Sequence, residues 1–118
     1  MARVALARLY DIETTVAKLI AITKSRTQAD LSSDWLFNQA CHYALQTIGE
    51  AANHLPPDLY DRYHKIPWRK IVGLSHKLRH EYFRIDPDVI WLVLVDHLPP
   101  LRDAIQTIID EAFEKSQS

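Results

Sequence analysis

The sequence predicts an all-α protein: an up-down bundle of four long helices plus a short one, with the last long helix kinked at Pro99-Pro100. Three observations carry that prediction. Glycine occurs only twice in 118 residues. No Asn-Gly or Asp-Gly pair, the strongest hairpin signal, is present. Apolar residues recur at three- and four-residue steps through most of the chain. The length fits one domain, residues 1–118.

The first helix spans about Val4 to Thr23, with Leu6, Leu9, Ile12, Val16, Leu19 and Ile20 on its apolar stripe. A polar stretch, Lys24 to Leu31, follows. Ser32 or Ser33 is placed to cap the second helix, with Asp34 at its positive end. Its expected stripe is Trp35 or Leu36, Ala40, Tyr43, Ala44, Ile48 and Ala51, and Pro56-Pro57 ends it after about His54. A short helix is expected over Asp58 to Tyr63. Pro67 then opens the third long helix, Trp68 to about Phe83, at a position where its missing N–H costs nothing. Asp86-Pro87-Asp88 before an apolar run is a start signal for the fourth, which continues from Val89 to Phe113 through the two prolines. The end of the chain, from Lys115, is expected to fray. Trp35, Trp68 and Trp91 read as packing residues, and both glycines as sites of close approach by another helix or a partner subunit.

Composition narrows the function. Apolar residues make up 47 % and charged residues 25 %, an ordinary globular balance. The net charge of −1 excludes a highly basic nucleic-acid coat and an acidic tail, but not a local basic patch. No glycine-rich phosphate loop exists, which argues against Walker-type and dinucleotide-fold enzymes. The longest unbroken apolar run, Val89 to Val95, falls far short of the roughly 20 residues a membrane span needs. The single cysteine, Cys41, lies in an apolar helical pattern and reads as a small core residue in a reducing, cytoplasmic setting.

The third long helix carries the chemistry. At about 100° per residue, Ile71, Leu74, Leu78 and Tyr82 share a core face. Arg69, Val72, Gly73, His76, His80 and Phe83 share another, with Arg79 at its border and Lys77 and Arg84 nearby. Imidazole titrates near neutrality and can move a proton on or off a ribose hydroxyl or a leaving oxygen. A guanidinium can hold a phosphate's developing charge. The set suits metal-independent RNA cleavage; the competing reading is a solvated polar face. A zinc site would need further ligands beside His76 and His80, and the sequence offers none near them, so neither metal nor cofactor is expected.

The stretch IPWRKIVGLSHKLRHEYFRID, with Trp91 and Leu98-Pro99-Pro100-Leu101 beyond it, resembles the HepT-type HEPN proteins. LQTIGEAANHLP, from Leu45 to Pro56, is similar to that family's second-helix segment. The resemblance implies a small helical bundle that forms a homodimer, with two copies of a motif across a shared cleft. That motif is Arg, four residues, His, one residue, Tyr. It further implies a metal-independent endoribonuclease toxin, paired with a nucleotidyltransferase-type antitoxin that attaches AMP to the motif tyrosine. On this chain the motif histidine falls on His80 and the AMP-acceptor tyrosine on Tyr82. The arginine position falls on Ser75, and the asparagine that usually follows it on His76. Serine carries no charge to stabilise a phosphorane. Arg79, one turn on, and His76 are the candidates to stand in, with Arg69, Lys77 and Arg84 as candidate RNA contacts. The alternative is a degenerate HEPN dimer that no longer cuts RNA and acts as binding partner of the nucleotidyltransferase. A plain helical interaction module is the third reading.

Overall fold

The computed structural model describes residues 3–81 and 84–117. Helix α1 is Arg3–Thr23, α2 Asp30–Ser33, α3 Trp35–Asn53, α4 Pro57–Arg62, α5 Trp68–Glu81, α6 Pro87–Leu92 and α7 Leu98–Gln117, with a π-helical turn, Val93–His97, joining the last two. No strand occurs among the described residues. The all-α HEPN-like bundle expected from the sequence is the fold observed. It measures 50 × 28 × 22 Å.

Helix α1 packs between α3 and α7, and α3 in turn carries α5. The core runs along these seams: Leu9, Ile12 and Val16 of α1 meet Cys41, Leu45 and Ile48 of α3 and Ile105 and Ile108 of α7, all buried. Burying a Leu or Ile fully contributes about 1.5–3 kcal/mol, so these seams dominate stability. Glu13 and Arg102 pair at 3.3 Å beside the α1–α7 seam.

Several local expectations are corrected. Helix α3 is capped by Asp34, whose carboxylate accepts from Phe37 N at 3.1 Å, and not by Ser32 or Ser33. Those two serines belong to α2, a four-residue turn. The buried stripe of α3 is Phe37, Cys41, Leu45, Ile48 and Ala52. Trp35, Leu36 and Tyr43 are 73 %, 71 % and 75 % exposed, and Ala40 is exposed as well. Helix α3 bears apolar residues on two faces, and periodicity alone cannot say which faces inward. Trp68 is buried and Trp91 partly so, as expected, but Trp35 is not a packing residue within this chain. Pro67 precedes α5 and serves as its cap, its carbonyl accepting from Lys70 N and Ile71 N. Helix α7 continues past Lys115 to Gln117.

The irregularity expected near Pro99-Pro100 is present, and its form is the π turn just before them. Leu98 N donates to Val93 O, five residues back. Two consecutive prolines remove two N–H donors that Val95 and Asp96 would otherwise use, and the widened turn accommodates the loss without ending the helix. Asp86 caps α6 with its carboxylate on Asp88 N at 2.8 Å, and Pro87 sits at the first turn.

Candidate functional site

Helix α5 packs chiefly on α3, so it is an outer helix with one face in solvent. Its inner face buries Trp68, Ser75 and Leu78, with Ile71, Val72 and Leu74 half-buried. Its root is pinned. The Trp68 indole donates to Tyr63 O at 3.1 Å and meets the Tyr60 ring edge-on at 5.5 Å, while the Tyr60 hydroxyl donates to Ala52 O at 2.7 Å. The α4 segment and the start of α5 are thereby held to the end of α3.

Of the stripe expected on the outer face, Arg69, Gly73, His76 and His80 are exposed, as is Lys77 beside them, whereas Val72 is half-buried against the core. The His76 and His80 rings lie one turn apart with centroids 4.9 Å from each other and planes at 59°. Arg79 and His80 stand in the last turn of α5, where the helix dipole favours cations. Arg84, beyond the helix, lies 4.0 Å from Glu81. Tyr82, the expected AMP acceptor, and Phe83 lie outside the described residues.

Ser75, at the arginine position of the motif, faces inward. It is 6 % exposed and donates its hydroxyl to Val72 O at 2.7 Å. It abuts Gly49 of α3 so closely that a Cβ on Gly49 would sit 2.1 Å from the Ser75 Cβ. This explains Gly49 as a close helix approach. Gly73 has no such neighbour, since a Cβ there would meet nothing within 4 Å. No close approach among the described residues accounts for it.

Arg79 is engaged elsewhere. Its Nη2 donates to Glu50 Oε2 at 3.1 Å, and Glu50 Oε1 accepts from His54 Nε2 at 2.9 Å. The hydrogen bond from His54, then that from Arg79, holds the Glu50 carboxyl below the usual carboxylate range. From sequence alone Glu50 reads either as a solvated residue or as partner to a basic group across the bundle, with no role assigned, and the structure shows the pairing. The signal was its four-residue spacing to His54 and the basic residues of the neighbouring helix.

Beside the stripe lies an open groove of about 1030 Å³, walled by α5 and by the segment that leads into it. Of the candidate RNA contacts, Arg69 and Lys77 line it and Arg84 does not; the catalytic candidate His76 lines it too, as do His64 and Lys70, which were not singled out from the sequence. His80 and Arg79 do not line it. Among the described residues, no three His, Cys, Asp or Glu side chains cluster closely enough to hold a metal ion. Nor is any described helix long and apolar enough to cross a membrane. Cys41 is fully buried, and burial pushes its thiol up to about 11, so it is an inert core group.

The all-helical bundle is consistent with a HEPN-like fold. The family model of HepT-like ribonucleases matches residues 12–108, which runs from the middle of α1 to the middle of α7, and the chain belongs to that family. It is 32 % identical to "Putative RNase MJ0127" of Methanocaldococcus jannaschii over 87 % of this chain and 85 % of that protein. It is 31 % identical to "Putative RNase TTE0752" of Caldanaerobacter subterraneus over 79 % of this chain and 83 % of that one. The "Probable ribonuclease HepT" of Thermococcus cleftensis is 28 % identical over 79 % of this chain and 88 % of its own length. No solved structure matches.

Proposed function

We propose that this chain is a metal-independent endoribonuclease of the HepT kind. It works as a homodimer and is the toxin of a pair whose nucleotidyltransferase antitoxin silences it by attaching AMP to Tyr82. The observation that carries the reading is the solvent-facing histidine pair on α5, rings 4.9 Å apart, in a chain of this family. His80 is the main acid/base. It removes the proton of a ribose 2′-hydroxyl as that oxygen bonds to the adjacent phosphorus and the bond from phosphorus to the 5′-oxygen breaks. His76, in its protonated form, returns a proton to the departing 5′-oxygen. The products are a 2′,3′-cyclic phosphate and a 5′-hydroxyl. Arg69, Lys77 and Arg84 hold the strand through its phosphates.

Two features support the rest. Trp35, Leu36 and Tyr43 make an exposed apolar patch on α3, the kind of surface a second copy covers. Pairing copies also brings two sets of basic groups together in a chain of net charge −1. Tyr82 follows His80 by two residues, so AMP there would add an anion and bulk beside the acid/base group.

The test is RNA cleavage by partner-free protein in the presence of EDTA, after intact-mass measurement has shown that no AMP is attached. Cleavage to cyclic-phosphate ends supports the reading, and an inert, unmodified, folded protein overturns it.

One observation favours a second reading, a HEPN dimer that binds the nucleotidyltransferase without cutting RNA. Ser75 is buried in the α3–α5 seam, and Arg79 is committed to Glu50. Neither then presents a free cation to a phosphorane, a loss worth about 10²–10³ in rate. In that case His80→Ala changes nothing measurable, and binding of the nucleotidyltransferase persists.

A further inference from the structure

The geometry points to a preformed track for a single RNA strand in the groove beside α5, running from His64 past Lys70 and over Gly73 to His76. This inference rests on the ribonuclease reading above and extends it to a binding subsite that leads up to the histidine pair.

Charge is the first argument. His64, Arg69, Lys70, His76 and Lys77 line the groove, against one carboxylate, that of Asp61. Arg69, Lys70 and Lys77 enter no ion pair among the described residues, so their charge is directed at solvent. A polyanion is the occupant that such a lining attracts, with counterion release adding to the affinity. The whole chain is near neutral, which makes this local excess more selective for position.

The second argument is shape. Gly73 lies in the groove wall, exposed, with open space where a Cβ would go. A glycine in a helix interior costs about 1 kcal/mol against alanine. Packing explains Gly49, but nothing among the described residues explains Gly73. A bare backbone at that point lets a sugar–phosphate chain lie directly on the helix, between Arg69 and Lys70 one turn before it and His76 and Lys77 one turn after.

Rigidity is the third. The groove's far wall is fixed by the Trp68 and Tyr60 bonds already described, and His64 is oriented by its Nδ1 against the Asp61 carbonyl at 3.2 Å. With Nδ1–H donating there, Nε2 faces away from that bond and, when the ring is protonated, offers a second N–H to a phosphate oxygen. A preformed groove loses little to ordering on binding. His76 belongs both to this groove and to the pair with His80, so a strand in the track is delivered to the acid/base groups.

The experiment is fluorescence anisotropy with a labelled 2′-O-methyl pyrimidine oligonucleotide of about twelve nucleotides, which has no free 2′-hydroxyl and cannot be cleaved. Full-length wild type is compared with Gly73→Leu, which fills the floor, and Lys70→Glu, which reverses one charge. Melting curves confirm that each variant folds. The expected result is a Kd raised about tenfold or more in each variant. The salt dependence of Lys70→Glu should also be shallower, by about one unit of log–log slope for the phosphate that Lys70 no longer neutralises. Wild-type binding with both variants within twofold of it overturns the track, while leaving the ribonuclease reading intact; a groove built for a protein partner gives this result. Wild-type protein that binds no probe even at low salt overturns the track and that reading together.

Discussion

Gly49 and Gly73 stand in neighbouring helices, α3 and α5, yet their surroundings are opposite. Gly49 is buried where a Cβ would collide with Ser75, and Gly73 is exposed where a Cβ would touch nothing. The same substitution therefore has opposite expected signs at the two positions. The inner side of α5 is a seam whose residues are chosen by fit. The outer side is a surface where fit asks for nothing, so its composition calls for another reason. Histidines, lysines and a glycine with no packing role point to a ligand.

The largest effect should come from the seam. Gly49→Val places two methyl groups against Ser75 and the Ile71 carbonyl, and overpacking of this kind costs about 3 kcal/mol, which lowers the melting temperature by roughly 10 °C. Thermal unfolding followed by circular dichroism measures it, and Ser75→Gly in the same chain should return part of the loss. A melt within 2 °C of wild type would break the comparison. Next is Leu78→Ala, which opens a cavity on the same inner face and should cost about 2–4 kcal/mol by denaturant titration. His76→Ala, two residues away on the outer face, should stay within about 0.5 kcal/mol.

Gly73→Ala should go the other way. With open space at the Cβ it should stabilise the protein by about 1 kcal/mol, a rise of a few degrees in the same melt. A fall would mean that Gly73 is packed after all. The smallest effect concerns Glu50 and sharpens the boundary between the two faces. Its carboxyl is held below its ordinary value in the folded protein by His54 and Arg79. A depressed folded pKa stabilises above the unfolded value, and that stabilisation is lost as pH falls through the folded one. Wild type should therefore exceed Glu50→Gln slightly near neutrality, and the gap should close as pH falls through and below the ordinary carboxylate range. A gap that widens in acid would contradict the pairing.

Much of this was legible in the residues. The stripe of α1, the Asp86-Pro87 start and the outer face of α5 follow from period and capping chemistry, and the fold class followed from the scarcity of glycine. The inward face of α3 was not legible, because Trp35, Leu36 and Tyr43 make a second apolar stripe as strong as the buried one. The role of Ser75 was not legible either. Its place in the motif is a matter of sequence order, but its burial depends on a glycine 26 residues earlier in another helix. The groove escaped for a similar reason. His64 and Lys70 join His76 only through the turn held by Trp68 and Tyr60, and no short-range spacing reports that.

The central claim is that the outer face of α5 does chemistry while the inner face holds the helix in place. His80→Ala, assayed for RNA cleavage with EDTA present and for melting temperature on one preparation, tests it most directly. The account predicts cleavage reduced by about 10² or more with a melting temperature within about 2 °C of wild type. Cleavage retained at the wild-type rate, or lost only because the protein unfolds, would contradict it.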